Sequence, residues 1–562
     1  MASPPWLARD TGAAWISRLA DEAVAEAGRR AQDGPVVCAS RLTPSGPLHL
    51  GDLREVMTSH LVAEELRHRG HDSVHVLFWY DFERFGGAPS GIGVPAGTRR
   101  AWNEHIGKPL TSVPSPPWSA YLNWAYYFEE PMIAALADLG VTFRGASQER
   151  LYASGAVRER VLVAVRERAR IGAALARHRT DPGAAATGSG TTSGAEAGSP
   201  GYFPYRPYCS ACDRDPTTVT SYDDETTALA YTCACGHAET VRLAEHGRGR
   251  LAHEVELAVF WAHEGVVFEP SRFSPASPGP SLAAAGRIIR EVFNGERPLG
   301  AVHAPVCVSG MARKDRSGRV PTPAAALAVM DPPLLRLPYV RHRPEQPFTI
   351  ALGRELQRAY DEWDALAREV ADGTAEPAEA VAYRRSAGAT GRPLPAPPRP
   401  LPYHLLASVV NITAGDGGRI LRVLHDLNPG DPVASLDELW PRLDRAAHWI
   451  AGRIPAGHRP RIRETPATGL LSSLGAAERA SLRHLLDGLD ENRSLDDLTA
   501  LVYGVPKLQA GSTADAAPEL KAAQRAFFAL LYTLLLGCDS GPRLPALLLA
   551  LGPDRVRRLL GA

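Results

Sequence analysis

Apolar residues recur at helical spacing over residues 13–31 with few breakers, and this pattern predicts an amphipathic helix. The short apolar run at 35–40 predicts a buried strand, and the Pro- and Gly-rich residues 44–47 separate it from a second helix at about 51–69. β-Branched and aromatic residues at 73–79 predict another strand. A strand, a helix and a strand in this order indicate a parallel sheet covered by helices, so we expect an α/β core.

Two stretches interrupt the pattern. Residues 182–200 contain only Ala, Gly, Ser, Thr and Pro apart from Glu196, which predicts a flexible linker, and residues 393–402 hold six prolines, which predicts a stiff spacer. After the spacer, Leu and Ala recur at helical spacing with few strand signals. The predicted divisions are an α/β core, first part (1–180), a linker (181–200), a small Cys-bearing module (201–248), a second part of the core (249–345), a connector that ends in the Pro-rich spacer (346–400) and an all-helical domain (401–562).

Composition narrows the class of protein. The 562 residues include 62 Lys plus Arg and 62 Asp plus Glu, so any contact with nucleic acid must come from local patches rather than from a global positive field. The longest apolar stretch, Ala526–Leu536, is too short to span a bilayer, and the N-terminus has no signal-peptide pattern. We expect a cytoplasmic, multidomain enzyme that does not enter membranes.

Four of the seven cysteines form two close pairs. Cys209 and Cys212 are followed, after twenty residues, by Cys233 and Cys235. Two such pairs place four thiolates within tetrahedral reach of one ion and predict a structural Zn²⁺ site. The second pair is one residue shorter than the usual spacing, so His237 could replace one ligand. Free thiols are the alternative.

The second chemical signal is the segment between the first strand and its helix. A Gly-containing turn that opens a helix offers backbone N–H groups and the positive end of the helix dipole to a phosphate. His49 lies at this helix start and could donate to a phosphoryl oxygen. The alternative is a purely structural, hydrogen-bonding histidine.

Several segments resemble one family. The residues PSGPLHLG (44–51) resemble the HIGH-type nucleotide motif of class I aminoacyl-tRNA synthetases. The longer blocks resemble, in order, those of the class I lysyl-tRNA synthetases from about Trp15 to Leu560: VVCASRLTPSGPLHLGDLREVM, YCSACDRDPTTVTSYDDETTALAYTCACGHAETVRL, FWAHEGVVFEP, GRIIREVF, PTPAAALAVMDPPLLR and LLLGCDSGPRLPALLLALGPDRV. The resemblance implies a Rossmann-type parallel-sheet catalytic core with a zinc-ribbon-like insertion, and a C-terminal all-α anticodon-binding domain.

The resemblance also implies an activity and its partners. The family activates lysine with ATP and Mg²⁺ to lysyl-adenylate and transfers the lysyl group to tRNA, here tRNA-Lys. We expect a monomer that carries structural Zn²⁺. The residues carried over to ATP binding are Ser45, Gly46, His49, Gly51, Asp52, Arg313, Lys314 and Arg316. Of these, His49, Arg313 and Lys314 are the expected catalytic residues, the last two on a KMSKS-like loop, and the expected amino-acid pocket contains Asp81, Glu83, Glu256 and Trp261.

This sequence departs from the family pattern at the pocket. Residues 79–84 are WYDFER where a WDDYDR-like run is usual, 254–258 are EVELA where KVDWP is usual, and Ser274-Pro275 replaces an Asp-His pair. Asp52 stands where His or Asn is usual, and the KMSKS-like loop, whose alternative interpretation is a solvated basic loop, has lost the motif's order.

Three functions follow from these departures. The first is a working lysine–tRNA ligase, which we take as the main hypothesis. The second is a paralogue with altered amino-acid specificity, or one that transfers an aminoacyl group in small-molecule biosynthesis. The third is a catalytically silent tRNA-binding protein. An unrelated zinc-ribbon protein would not explain the ordered blocks.

Overall fold

The computed structural model describes most of the chain. The described residues are 14–31, 33–89, 92, 96–179, 202–272, 280–309, 321–389, 392–413, 415–428, 430–453, 462–490, 495–510 and 518–561. The linker predicted at 181–200, the Ser274-Pro275 pair and the loop that carries Arg313, Lys314 and Arg316 lie outside the described residues.

Short strands and helices alternate along the first 350 residues, and helices dominate thereafter. The strands are β1 (Val36–Leu42), β2 (Ser73–Trp79), β3 (Arg144–Ser147), β4 (Tyr205–Pro207), β5 (Thr217–Tyr222), β6 (Ala228–Cys233), β7 (Ala238–Arg242), β8 (Gly249–Leu251), β9 (Val266–Phe268), β10 (Ser271–Arg272), β11 (Val302–His303), β12 (Val306–Ser309), β13 (Phe348–Ala351), β14 (Gly388–Ala389) and β15 (Arg392–Pro393). The helices are α1 (Ala14–Arg29), α2 (Leu50–His68), α3 (Ala96–Asn103), α4 (Trp124–Asp138), α5 (Gln148–Ala153), α6 (Arg158–Arg166), α7 (Arg168–Arg179), α8 (His253–Glu264), α9 (Pro280–Phe293), α10 (Pro323–Leu327), α11 (Pro332–Arg341), α12 (Glu355–Ala371), α13 (Pro377–Ala387), α14 (Tyr403–Thr413), α15 (Gly417–Leu427), α16 (Arg442–Arg453), α17 (Thr468–Ser473), α18 (Ala476–Gly488), α19 (Leu495–Ala510), α20 (Pro518–Leu536), α21 (Leu544–Leu551) and α22 (Pro553–Leu560), with 3₁₀ turns at Leu110–Ser112 and Leu436–Leu439.

The central element is a four-stranded parallel sheet in the order β3-β2-β1-β9. Both strands predicted from the sequence, 35–40 and 73–79, are confirmed as β1 and β2, and the helix predicted between them is α2. The chain builds the sheet on one side of β1 and then returns to add β9 on the other side. Ligands of open parallel sheets bind where the strand order reverses, at the carboxyl ends of the strands. That point lies between β1 and β9.

The Cys-bearing module consists of small antiparallel sheets. Strand β4 pairs with β8, and β5, β6 and β7 form a three-stranded meander. Three buried tyrosines, Tyr205, Tyr208 and Tyr231, pack in its core. The Tyr208 hydroxyl donates to the carbonyl of Phe82, 2.8 Å away, and this bond fixes the module to the segment that follows β2.

The chain divides into two compact units. The first contains the sheet, the Cys-bearing module and residues 332–355 and 366–394; the second contains 328–331, 356–365 and 395–562. The predicted connector at 346–400 is therefore shared between the units. In the second unit the Arg442 guanidinium pairs with Asp331 and Asp364.

The described part of 395–561 contains helices and no strand, as the Leu and Ala pattern predicts. Among the helices of the described residues, none combines the length and apolarity needed to cross a membrane.

Candidate active site

The loop between β1 and α2 ends in a helix cap made by His49. The backbone N–H of Asp52 donates to His49 Nδ1 at 3.1 Å, and the N–H of His49 donates to Asp52 Oδ2 at 2.8 Å. This reciprocal pair is a capping box, with a histidine in the position that Ser or Thr usually takes. Asp52 therefore has a defined structural role in this chain.

The cap bears on the tautomer of the neutral imidazole. Because Nδ1 accepts a hydrogen bond, the neutral ring carries its proton on Nε2. The His49 side chain is 37% exposed, at the positive end of α2. The same histidine thus caps the helix and carries an Nε2–H donor. The sequence left open whether His49 donates to a phosphate or serves only as a structural residue, and the structure is compatible with both roles.

Gly46 and Gly51 lie at positions where a side chain would come too close to a neighbouring residue. A Cβ on Gly51 would lie 3.0 Å from Cε1 and Nδ1 of the His49 ring, so a side chain here would displace the imidazole. A Cβ on Gly46 would lie 2.9 Å from Cγ of Pro89. Ser45 is exposed, and its carbonyl accepts from Trp124 Nε1 at 3.2 Å. These contacts set the position of the backbone that opens α2.

Cations and carboxylates meet at the reversal point of the sheet. Arg272, on β10 just after β9, pairs with Asp52 at the start of α2. Arg41, near the end of β1, pairs with Glu269 at 2.7 Å. Trp261 donates its indole N–H to the same Glu269. Trp261, predicted as a pocket residue, therefore contacts the Arg41–Glu269 pair through this hydrogen bond.

A carboxylate cluster lies beyond β2 and on α8. One ligand atom each of Glu83, His253 and Glu256 lies within 4.8 Å of the other two. Arg250 pairs with Glu83 at 3.1 Å. Glu256 is fully buried and accepts from Gln148 Nε2 at 2.8 Å and from the Tyr152 hydroxyl at 2.6 Å.

Burial and the neighbouring Glu83 together raise the pKa of Glu256 to about 8. The free protein therefore holds Glu256 mainly as the neutral acid at pH 7. Its two hydrogen-bond donors keep the carboxyl group in place in either protonation state. A cation that enters the cluster would favour the charged form, because an opposite charge lowers a carboxyl pKa.

A second carboxyl pair lies next to this cluster. Asp81 accepts from Ser147 Oγ at 2.5 Å and from the backbone N–H of Glu149 at 2.9 Å, and burial raises its pKa to about 6. Glu129, on α4, is buried, and Oε1 has no hydrogen-bond partner among the described residues. Burial and the charge of Asp81 raise the pKa of Glu129 to about 8. Helix α4 carried no chemical signal in the sequence.

The four cysteines converge in the antiparallel module. Cys209 Sγ lies 3.8 Å from Cys235 Sγ, and Cys212 Sγ lies 3.6 Å from Cys233 Sγ. A tetrahedron with Zn–S bonds of about 2.3 Å has sulfur–sulfur edges of about 3.8 Å, whereas a disulfide requires about 2.05 Å. His237 is not in this group, since its Nε2 lies 3.1 Å from Ser210 Oγ. The cysteines therefore fit a Cys₄ metal site.

Similarity to known proteins agrees with this geometry. The family model described as class I tRNA synthetases (K) matches residues 13–388. The chain belongs to this family. Its fold accordingly has the class I α/β character expected from the resemblance.

Relatives of this class I family match over almost the whole chain. The lysine–tRNA ligase of Streptomyces coelicolor (strain ATCC BAA-471 / A3(2) / M145) is 52% identical over 97% of this chain and 98% of its own length. The lysine–tRNA ligases of Treponema pallidum (strain Nichols) and Pyrococcus furiosus (strain ATCC 43587 / DSM 3638 / JCM 8422 / Vc1) are each 27% identical over 97% of this chain, and over 98% and 99% of their own lengths.

Solved structures of other synthetases match more weakly. A glutamate tRNA ligase from Elizabethkingia meningosepticum CCUG26117 is 10% identical over 93% of this chain and 98% of its own, with a TM-score of 0.39. The methionyl-tRNA synthetase of Mycobacterium tuberculosis is 11% identical over 89% of this chain and 91% of its own, with a TM-score of 0.32. Similarity at this level says nothing about the site.

The site residues predicted from the family resemblance fall into three groups. Those of the loop and helix start that lie together are Ser45, Gly46, His49, Gly51 and Asp52. Those that follow β2 or lie on α8 are Asp81, Glu83, Glu256 and Trp261. Arg313, Lys314 and Arg316 lie outside the described residues, so their placement stays a prediction. The sequence reasoning missed Glu129, Arg250, His253, Glu269 and Arg272, although Glu269 stands in the FEP block that the family shares.

Proposed function

We propose that the protein is a lysine–tRNA ligase of the class I type. It activates lysine with ATP and transfers the lysyl group to tRNA. The observation that carries the proposal is the occurrence, beside one parallel sheet, of the loop that follows β1 and opens α2 together with a partly buried carboxylate cluster formed after β2 and on α8. The lysine–tRNA ligases that match the whole chain support the same activity.

The triphosphate binds at the start of α2. Backbone N–H groups of the first turn and the helix dipole attract the phosphates, and His49 Nε2–H donates to a phosphoryl oxygen. Arg313, Lys314 and Arg316 supply further positive charge from the KMSKS-like loop. Magnesium bound with ATP neutralises phosphate charge during the reaction.

The amino acid binds with its side-chain ammonium toward Glu83 and Glu256. Arg250 already balances one negative charge at Glu83, so the ammonium is matched by the charge that Glu256 acquires when it loses its proton. Asp81 lies behind this cluster and is held by Ser147 and Glu149. Binding of lysine is therefore coupled to release of a proton from Glu256.

The reaction proceeds in two steps. A carboxylate oxygen of lysine attacks the α-phosphorus of ATP, the bond to the bridging oxygen breaks, and pyrophosphate leaves. A terminal ribose hydroxyl of tRNA then attacks the lysyl carbonyl, loses its proton, and AMP leaves. Neither step needs a covalent bond to the protein, so positioning and charge stabilisation are its contributions.

The Cys₄ group holds one structural Zn²⁺ in this proposal. Zinc bound by four thiolates is closed to substrate and stabilises the fold of its module outright. The module in turn positions the segment after β2 through the Tyr208–Phe82 hydrogen bond. Zinc therefore affects the pocket only by stabilising the fold of the module that positions this segment.

The helical second unit binds the anticodon arm of tRNA in this proposal. Its support is the resemblance together with the helices α14 to α22. Single-stranded RNA loops are recognised by stacking and base-edge contacts rather than by bulk charge, so the neutral composition of the chain is no objection.

The test is ATP–pyrophosphate exchange with each of the twenty amino acids, with and without uncharged tRNA. Lysine-dependent exchange supports the proposal, and exchange with a different amino acid would replace lysine as the substrate. The absence of exchange with all twenty, while tRNA still binds, would leave the silent tRNA-binding protein. Glu245→Gln is a matched control for pocket variants, because the Glu245 side chain is 67% exposed and pairs with the exposed Arg242.

A further inference from the structure

An ordered loop exposes three large apolar side chains beside the active site. Trp118, Tyr121 and Leu122 are 55%, 40% and 81% exposed, and we name residues 113–122 the aromatic tip. Exposed apolar side chains that cluster often mark a binding surface, and these three lie within five consecutive positions of one loop. None of these three residues belongs to the predicted amino-acid pocket or to the loop between β1 and α2.

The aromatic tip is held by its own hydrogen bonds. Ser115 Oγ donates to the carbonyl of Tyr121 at 2.6 Å, and the Tyr121 N–H donates to Ser119 Oγ at 3.1 Å. The N–H of Trp124 donates to the carbonyl of Val113 at 2.8 Å and closes the loop at its base. The side chains are therefore presented outward by a defined backbone.

A chain of indole contacts connects the tip to the phosphate loop. The Trp118 ring lies 6.1 Å from that of Trp102, whose centroid is 5.0 Å from that of Trp124. Trp124 Nε1 donates to the carbonyl of Ser45 in the loop that precedes α2. The exposed Trp118 ring is thus connected, through two ring contacts and one hydrogen bond, to the loop that is proposed to bind ATP.

Cations lie in the sequence just before the tip. The cations Arg100 and Lys108 precede the tip, with Glu104 between them, and Glu129 and Glu130 follow it on α4. The guanidinium of Arg248, which pairs with Asp213, also lies 3.5 Å from Ser112 Oγ at the base of the tip. Positive charge beside exposed aromatic rings is the combination that binds single-stranded nucleic acid.

We propose that the aromatic tip binds the unpaired 3′ nucleotides of tRNA by stacking their bases on Trp118 and Tyr121. This inference rests on the proposed function, since the terminal ribose must reach the adenylate. Bases offer a π-face regardless of their identity, so aromatic rings hold such an end without reading it. The tip itself carries no acid that would repel the backbone.

The test compares two RNAs and three proteins. The RNAs are uncharged tRNA and the same tRNA without its unpaired 3′ nucleotides, and their dissociation constants are measured at one salt concentration. The proteins are the wild type, Trp118→Leu and Trp118→Phe. We expect the wild type to prefer the complete tRNA by about five- to 150-fold for each base that stacks, the range found for base–aromatic stacking.

Trp118→Leu should lower this preference by the share of one base, about five- to 150-fold, without changing affinity for the shortened tRNA, and Trp118→Phe should keep it. Val302→Ala is the control, because Val302 is 47% exposed in the same unit but lies outside the tip. If Trp118→Leu fails to fold, Tyr121→Leu takes its place. An unchanged preference in the Leu variants overturns the proposal.

Two other outcomes would be informative. A protein dimer that Trp118→Leu dissociates, with the preference for complete tRNA unchanged, overturns the proposal in favour of a second copy of this chain. Failure of lysine-dependent exchange would refute the proposed function, but the two dissociation constants would still report on the tip. The two failures are therefore distinguishable.

Discussion

Replacing Glu256 with Gln tests the assignment of the amino-acid pocket. Gln has nearly the same shape as the neutral acid that Glu256 forms at pH 7, and Gln148 and Tyr152 remain as neighbours. The Glu256→Gln variant should therefore fold, but it cannot acquire the negative charge that the lysine ammonium requires. Binding of lysine should be weakened and its pH dependence lost.

The magnitude follows from the raised pKa of Glu256. At about 8, this pKa means that charging the group costs the wild type about 1.4 kcal/mol for each pH unit below 8. Lysine affinity should therefore rise about tenfold per pH unit toward pH 8 and then level off. A hydrogen bond to a charged group contributes about 1.5–3 kcal/mol, so Glu256→Gln should bind lysine roughly 10- to 150-fold more weakly at pH 8.5.

The contribution of Glu256 to the stability of the wild type should fall with rising pH, whereas lysine affinity should rise. The folded protein binds the Glu256 proton more tightly than the unfolded chain, whose Glu pKa is 4.5, so unfolding releases the proton between pH 4.5 and about 8. The free energy of unfolding of the wild type then falls with rising pH in that window by up to about 1.4 kcal/mol per unit from this group. Glu256→Gln lacks this loss, so its stability relative to the wild type should increase with pH.

The assay is calorimetric titration with lysine from pH 6 to 8.5, paired with urea unfolding at the same pH values. Proton release is measured by repeating the titration in buffers of different ionisation enthalpy. Glu245→Gln, the exposed control, should follow the wild type throughout. Parallel pH profiles for wild type and Glu256→Gln would refute the role given to Glu256, and the ammonium would then have to be bound elsewhere.

Three further results are expected. His49→Ala and His49→Asn should both slow single-turnover adenylate formation about a hundred- to a thousandfold, because Asn can cap the helix but lacks the Nε2 donor; wild-type rates in His49→Asn would leave His49 as a cap alone. Cys235→Ser should abolish a stoichiometry of one zinc per chain and lower the melting temperature, and metal-free, reduced wild-type protein in elemental analysis would contradict this. Ending the chain at residue 394 should weaken tRNA binding at fixed salt, and unchanged affinity would argue against an anticodon role for the helical unit.

The sequence was sufficient to predict the core elements because their signals are local. The apolar runs that became β1 and β2, and the breakers before α2, each depend on a few neighbouring residues. The cysteine pairs are also local in sequence, and their sulfur atoms converge in the structure. The reversal of strand order between β1 and β9 joins residues over two hundred positions apart, and no local pattern encodes it.

The pocket was harder to predict because its charges are balanced by distant residues. Glu83 stands where the family pattern has the shorter Asp. Its partner Arg250 lies on β8, far from Glu83 in the sequence. Glu129 has no motif, and its unusual environment arises only when α4 folds against the segment that contains Asp81. Pairing and burial of this kind become visible only in three dimensions.

His49 shows why the structural and the chemical interpretation of a residue need not compete. A helix cap at this position requires an acceptor, and Nδ1 supplies it to the Asp52 N–H. That hydrogen bond is what places the proton on Nε2 and orients it at the positive end of α2. Gly51 completes the arrangement, because any side chain there would displace the ring. A histidine that caps is therefore already aligned to donate, and the helix start does not have to be rebuilt when a phosphate binds.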